Sequence, residues 1–412
     1  MITKIEALNY RCLHYVNQQL GNFHVLAGPN ASGKSTFLDV IALVGDLVNK
    51  EFSEVITART PNYRDLFWMG EGDSFEVAIE ARIPDQVRES SKYKSCDRCR
   101  YEVRIGNAQN SEEIGILGER LSVFTAQQRT QEGIEAFPRT LSPPHTIFWP
   151  KAAATFLVEK DEEGKAWFRA EGDAFSSVYR LGPQKSALGS LPEDVDKFPV
   201  SVWFKSFVRE GIRTLTLNSR SMRLPCRPGI PRRLQGDGSN LPWVIHDLSR
   251  NAYREAYKRW MAHVRTALHI RGVVTVERPE DKHRYIRLKY ENGLELPSWV
   301  VSDGTLRFLA LTLLPYLPDM TGTYLIEEPE NGIHPKAIEA VYQSLSSVYD
   351  GQVLLATHSP IFLTLSEPSE VLCFAINEQG AADVIEGNRH PRLRNWRNEV
   401  VLGDLFAAGI LG

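Results

Sequence analysis

Gly28-Pro29-Asn30-Ala31-Ser32-Gly33-Lys34-Ser35 fits G-x-x-x-x-G-K-[ST] at every fixed position. Each residue type has a chemical reason to be there. The glycines let the backbone curl until several N–H groups face one oxyanion. A helix opening at Ser35-Thr36 would add the positive end of its dipole. Lys34 brings a mobile cation to phosphate oxygens, and the Ser35 hydroxyl can ligate Mg2+. The motif predicts a site for the phosphates of ATP with magnesium. The plainer reading, a glycine turn with an incidental lysine, leaves the spacing unexplained.

Two further strand ends carry reactive types. Thr323-Tyr324-Leu325-Ile326 is an apolar run that stops at Glu327-Glu328-Pro329-Glu330. Side chains alternate along a strand, so Glu327 and Glu328 point different ways. One can hold magnesium while the other faces an attacking water. Val353-Leu354-Leu355 leads likewise into Ala356-Thr357-His358-Ser359-Pro360. A histidine at such an end can hydrogen-bond a terminal phosphate and sense its loss. A fourth element, Val301-Ser302-Asp303-Gly304-Thr305, precedes the apolar run Leu306 to Leu311. It is either a second anion site at a helix N-terminus or a simple N-cap.

The elements that must position these residues follow from periodicity. Ile2 to Leu8 and His24 to Ala27 read as strands. Leu38, Ile41 and Val44 recur at helical spacing after the glycine loop. Between about residues 73 and 172 apolar and polar residues alternate, as at Phe75, Val77, Ile79 and Tyr101, Val103, Ile105, which predicts antiparallel strands. Tyr253, Tyr257, Trp260, Val264 and Leu268 mark the apolar stripe of a helix, with Arg250, Arg254, Lys258 and Arg265 largely off it. Strands return at Gly272 to Glu277 and Tyr285 to Tyr290. The last third alternates helix and strand, the pattern of a parallel α/β sheet.

Taken in order, these elements resemble the ABC-type ATPase superfamily in its RecF/SMC/OLD-like branch. Val301 to Thr305 looks like the signature motif, with Asp303 and Thr305 departing from its usual residues. Glu328 matches the catalytic glutamate, Glu327 stands where magnesium is usually held by aspartate, and Asn331-Gly332-Ile333-His334-Pro335 fits the D-loop. The resemblance implies an α/β fold: an ABC-type P-loop head with a mixed central sheet, an antiparallel β subdomain and a helical insertion. The head would be discontinuous, 1–49 with 290–412. Residues 50–180 would form the β-rich part of the first lobe and 181–289 a largely helical insertion. It also implies a homodimer or higher even-numbered oligomer. Each site would take Lys34, Ser35, Glu327, Glu328 and His358 from one chain and Ser302 and Gly304 from the other. The family's glutamine loop has no assigned position in this sequence, which holds several glutamines between residues 86 and 184.

The remaining features bear on biology. The chain has 412 residues, net charge −3, 42% hydrophobic and 24% charged residues, ordinary for a globular protein. No signal peptide or apolar span is evident, and five scattered cysteines fit a reducing cytoplasm. Cys96 and Cys99 have C-x-x-C spacing without the second pair that a structural zinc needs. No sustained heptads predict long arms. Lys205 to Arg233 and Arg389 to Arg397, the latter around Trp396, are basic runs that suit phosphates, a solvated face or an acidic protein partner. OLD-like nucleases carry a nuclease domain after the ATPase, whereas this chain runs only about fifty residues past His358. The resemblance therefore points to a regulatory ATPase of a bacterial phage-defence complex that controls a separate effector, a nuclease or toxin. The alternative is a RecF-like ATPase that binds DNA in repair. A transport ATPase fits poorly.

Overall fold

The computed structural model describes residues 1–107, 113–126, 136–171, 176–318, 320–393, 402–407 and 409. Alternating strands build a first sheet: β1 (Ile2–Tyr10), β2 (Leu13–Gln19), β4 (Ser74–Arg82), β5 (Arg98–Asn107), β6 (Ile114–Phe124), β7 (Thr155–Lys160), β8 (Lys165–Arg169) and β9 (Ser176–Arg180). It is eight-stranded, ordered β2-β1-β4-β5-β6-β7-β8-β9, with every neighbour antiparallel.

Runs that are apolar on both faces build the second sheet, as parallel strands covered on two sides must be. Its order is β10 (Ile212–Leu215), β14 (Gly322–Glu327), β15 (Gly351–Ala356), β3 (Phe23–Ala27), β16 (Val371–Ile376) and β17 (Ala382–Glu386). All neighbours are parallel except β17, which is antiparallel to β16. A third sheet holds β11 (Ile270–Glu277), β12 (Arg284–Tyr290) and β13 (Glu295–Pro297).

Two apolar cores hold these layers. The helix Lys34–Asn49 lies between the two large sheets. It buries Phe37, Leu38, Ile41 and Val44 with Val77 and Tyr101 on one side and Leu325, Leu354 and Phe374 on the other. Full burial of each such side chain is worth about 1.5–3 kcal/mol. The opposite face of the second sheet packs Val25, Tyr324, Ile326 and Leu355 against three helices, Arg254–Ala267, Asp303–Leu313 and Pro335–Ser346. Trp260, fully buried there, donates from its indole N–H to Thr312 at 3.2 Å.

The first sheet is also fastened by buried carboxylates. Glu119 accepts from the Tyr101 hydroxyl, the Ser186 hydroxyl and the backbone N–H groups of Ala187 and Leu188 at 2.6–2.9 Å. Glu76 accepts from Ile147 N–H at 2.7 Å and Glu102 from Trp149 N–H at 3.0 Å, laying that extended segment across the sheet. Glu171 accepts from Val200 and Ser201 N–H, closing the start of the helix Pro199–Gly211. Fully buried Arg100 joins Glu6, Glu80 and Glu102 at 2.7–3.0 Å.

Besides β9, β13 and β17, two strands that border the sheets lie beyond the sequence expectations, β2 and β10. β2 follows a turn whose left-handed residues are Asn9 and Arg11, φ 58° and 50°, so no glycine marks it. β10 carries Arg213, whose charge reads as surface. Its guanidinium instead donates to the Tyr324 hydroxyl at 2.7 Å across the parallel pair.

Candidate functional site

The site sits where β3, β14 and β15 end side by side. Register places Glu327 level with Ala356 and Ala356 level with Leu26. The glycine loop, the acidic turn and the histidine turn thus leave one edge of the sheet together, outside the carboxyl ends of parallel strands, where α/β folds bind ligands.

The glycine loop is shaped by contacts only glycine permits. A Cβ on Gly28 would collide with the Phe374 carbonyl oxygen, and Gly33 adopts φ 98° with Ala382 against it. Ser32 is buried with its hydroxyl unpartnered, while Pro29, Asn30, Ala31 and Ser35 are exposed along the loop. Lys34 lies back along the loop, donating to the carbonyls of Gly28 and Pro29 at 2.8 and 2.7 Å. Burial pushes its ammonium down to about 8, opposed by the nearby carboxylates of Glu328 and Glu327. A phosphate beside it would restore the charge.

Ser35 donates its hydroxyl to Glu327 at 2.5 Å. A hydroxyl and a carboxylate converging beside an N–H-lined loop are the all-oxygen donors that Mg2+ takes, so the residues fit that ion. Glu328 follows in the left-handed region, φ 46°, a strain of about 1 kcal/mol for a residue with a side chain. Its N–H donates to Ala356 O at 2.8 Å. Its carboxylate accepts a hydrogen bond from the Asn331 side-chain amide. The two acids therefore face different partners, but through the left-handed turn at Glu328 rather than strand alternation, since β14 ends at Glu327.

Glu330 ties the acidic turn to the histidine turn. Its Oε1 accepts from Thr357 Oγ1 at 2.5 Å and from His358 N–H at 3.0 Å. Its other oxygen is buried and unpartnered. His358 is held by its backbone beside Glu328, with its side chain half-buried. The sequence placed Asn331 in the D-loop but gave neither it nor Glu330 a partner in the site; both lie in the string 326–335 that carries the resemblance.

Ser302 and Gly304 stand elsewhere. Ser302 caps the helix Asp303–Leu313, accepting from Thr305 N–H at 3.2 Å. A Cβ on Gly304 would strike the Gly332 carbonyl oxygen, so the signature turn sits tight against its own chain's D-loop. Arg307 clamps the pair, donating to Asn331 O at 3.0 Å and Leu217 O at 3.1 Å. Among the described residues no hydrogen bond or ion pair joins Ser302 or Gly304 to residues 28–36 of the same chain.

A cavity of about 580 Å3 opens beside the loop, lined by Arg11, Cys12, Trp68, Met69, Gln379 and Gly380 among others. Cys12 connects it to the site, its thiol 3.5 Å from the Thr36 hydroxyl. No sequence pattern pointed to it, because its walls come from the β1–β2 turn, a 3-10 turn and the β16–β17 turn.

Other candidates fall away from the site. Cys99 is buried in β5, its thiol pushed far up by desolvation, with Cys96 only partly exposed. Among the described residues no cluster of three or more His, Cys, Asp or Glu could hold a metal. Five members of the run Lys205 to Arg233 go to separate acids: Lys205 and Arg209 to Glu193, Arg223 to Asp303, Arg232 to Asp247, Arg233 to Glu210; Arg213 donates to Tyr324, and Arg220 and Arg227 are exposed. Of the second run, Arg394, Trp396 and Arg397 lie outside the described residues. Gln86 and Gln184 are exposed, and Gln109, Gln127, Gln128 and Gln131 lie outside the described residues. No described helix is long and apolar enough to cross a membrane.

A glycine loop, an acidic strand end and a histidine strand end on one parallel sheet, with a detached signature turn, define a P-loop ATPase of the ABC type, in the RecF/SMC/OLD branch. The chain belongs to the AAA_21 family, described as AAA domain, putative AbiEii toxin, Type IV TA system, whose model matches residues 23–364. An OLD nuclease from Thermus scotoductus is 28% identical over 137 residues, 31% of this chain and 26% of that protein. The match thus spans about a quarter of that relative's length. Among solved structures, the SmcHead bound to the C-winged helix domain of ScpA aligns at 13% identity with TM-score 0.51, covering 93% of this chain and 97% of that one. That likeness concerns the fold.

Proposed function

We propose that the chain hydrolyses ATP at sites shared between two copies, and that ATP-dependent pairing regulates a separate effector protein in a phage-defence complex. The observation that carries the catalytic part is the convergence of Lys34, the Ser35–Glu327 pair and the separately oriented Glu328 at one sheet edge.

The loop N–H groups and Lys34 hold the phosphates, with Asn30, Ala31 and Gly33 supplying backbone and Thr36 opening the helix dipole. The nucleoside lies toward the cavity lined by Arg11, Cys12 and Trp68. Magnesium, held by Ser35 and Glu327, would neutralise phosphate charge. Glu328, aimed by Asn331, orients and polarises the attacking water. His358 donates to the terminal phosphate, and Glu330 fixes its backbone. Catalysis of this type is mostly positioning and electrostatics.

Ser302 and Gly304 complete the site of the second copy. Their separation from their own loop supports this, as does the exposed apolar surface beside them: Leu224, Trp299 and Val300 are 63%, 45% and 56% exposed. Patches of that kind mark protein contacts. ATP bound by both copies closes the pair and hydrolysis releases it, a differential-affinity switch. The regulatory role rests on the family's description as a putative toxin of a toxin–antitoxin system and on the OLD nuclease relative. We extend the proposal to a head formed by 1–49 with 290–412, to which the intervening stretch adds β10 and the helix Arg254–Ala267, and to a regulatory part formed by the rest of that stretch.

The test is a pull-down of tagged Glu328→Gln protein with ATP and its native neighbouring genes co-expressed. A stoichiometric second protein supports the regulatory reading. Recovery of nucleic acid with no protein partner contradicts it and favours a repair ATPase.

A further inference from the structure

One wall of the cavity beside the glycine loop is the edge of a sheet. β17 is the last strand of the second sheet, with β16 as its neighbour there. The turn between them brings Gln379 and Gly380 to the cavity. Just past the turn, Ala382 donates its N–H to the Cys12 carbonyl at 2.9 Å and lies against Gly33. A shift of this hairpin would therefore disturb the cavity and the phosphate loop together. A distant segment holds it in place. Residues 137–149 start at β17 and end on the face of the first sheet turned away from the helix Lys34–Asn49. There Glu76 and Glu102 accept from Ile147 and Trp149 N–H, and Arg104 donates to the Thr146 hydroxyl at 3.1 Å. At the β17 end, Arg139 donates its backbone N–H to Asp383 at 2.6 Å. Its guanidinium donates to both oxygens of the same carboxylate, at 2.7 and 3.0 Å, and to Val384 O at 3.0 Å. Asp383 is buried. Asn377 serves both sides. Its Oδ1 accepts from Gln379 and Ala381 N–H at 3.0 and 2.9 Å, which shapes the cavity turn, and its Nδ2 donates to the Arg139 carbonyl at 3.1 Å.

We infer that Arg139, Asn377 and Asp383 form a clasp that positions the nucleotide cavity, so that residues 137–149 tie nucleotide retention to the far face of the first sheet. The inference rests on the proposal that the nucleoside occupies this cavity. A tether serving the first sheet alone would be complete at Glu76 and Glu102. The further bonds land instead on Asn377 and Asp383, the two residues that bracket the cavity turn. Opening the clasp is costly, because a buried carboxylate that loses its arginine keeps an uncompensated charge. With the clasp open, the hairpin keeps its pairing with β16 and its bond to Cys12, and the cavity wall is formed for only part of the time. Nucleotide affinity then falls in proportion to that fraction. Arg139, Asn377 and Asp383 are thus positioning residues, acting through the turn and Gly33 rather than on the nucleotide.

The test compares Arg139→Ala and Asn377→Asp with wild type. The second variant keeps the Oδ1 acceptor of the turn and removes only the donor to the segment. Stopped-flow release of a fluorescent ATP analogue is measured beside amide hydrogen exchange of residues 376–382 in nucleotide-free protein. Both variants should exchange faster over 376–382 and release the analogue about tenfold faster, as for a wall formed about a tenth of the time. Arg139→Lys, which keeps a charged donor for Asp383, should recover part of the retention. Arg104→Ala loosens the far end of the segment and should lower the melting temperature without speeding release, which separates positioning from general destabilisation. Normal binding by wild type with release that Arg139→Ala leaves unchanged overturns the clasp alone. Release from Arg104→Ala as fast as from Arg139→Ala overturns it too, in favour of a structural strap. Wild-type protein that binds no nucleotide overturns the cavity's assignment and the inference with it.

Discussion

The first sheet and the carboxyl edge of the second use the same side chain for opposite ends. Glu76, Glu102, Glu119 and Glu171 are buried and spend their oxygens on backbone N–H groups of crossing segments. Glu327 and Glu328 are exposed at a strand end, and among the described residues their carboxylates hydrogen-bond a serine hydroxyl and an asparagine amide and, at longer range, feel the field of Lys34. A buried carboxylate that accepts several hydrogen bonds is a staple: removing it strands donors that water cannot reach. An exposed one beside a phosphate loop holds charge available for chemistry. What assigns the role is position in the sheet, not residue type.

The two regions should therefore respond in opposite ways to substitution. At the edge, Lys34→Ala should weaken ATP binding by about 3 kcal/mol, more than a hundredfold, with an unchanged melting temperature. Labelled-nucleotide titration beside calorimetry checks both. Glu328→Gln should bind ATP as before and lose turnover by about a hundredfold or more; hydrolysis at the wild-type rate would remove Glu328 from the mechanism. In the staple region Glu119→Ala should do the reverse. Four donors lose their acceptor, stability falls by about 3 kcal/mol in urea titration, and nucleotide affinity at low denaturant stays near wild type.

Finer tests lie at the edge itself. Asn331→Ala releases the Glu328 carboxylate and should lower kcat by about tenfold with little change in KM. A change confined to KM would mean that Asn331 serves binding instead. The buried Lys34 ammonium, lowered to about 8, titrates within reach of experiment. Its protonated form binds phosphate, so ATP affinity should be level below pH 8. Above it, affinity should fall by up to about tenfold per pH unit, and Lys34→Arg should abolish the fall.

The same contrast explains what was legible in the sequence. The glycine loop, Glu327, Glu328 and His358 were readable because each ends an apolar run, and the register of three parallel strands does the rest. The helix stripe from Tyr253 to Leu268 predicted Arg254–Ala267 for the same reason. The staples were not readable: Glu76, Glu102 and Glu119 occupy alternating positions that look solvent-facing until a crossing segment covers them. The arginines of 205–233 counted as one basic run, but the fold sends Arg209, Arg223 and Arg232 to separate acids. Glu330 and Asn331 are second-tier contacts whose partners, His358 and Glu328, are defined only once β14 and β15 lie side by side.

On the proposed function, Ser302 of a second copy completes each ATP site. Light scattering of Glu328→Gln protein with and without ATP reads this pairing. The mass should rise from that of the 46.6 kDa chain to twice that value on adding ATP. Glu328→Gln/Ser302→Arg, folded and still binding ATP, should stay at the single-chain mass. A Ser302→Arg variant that doubles its mass with ATP as its parent does would contradict the shared site.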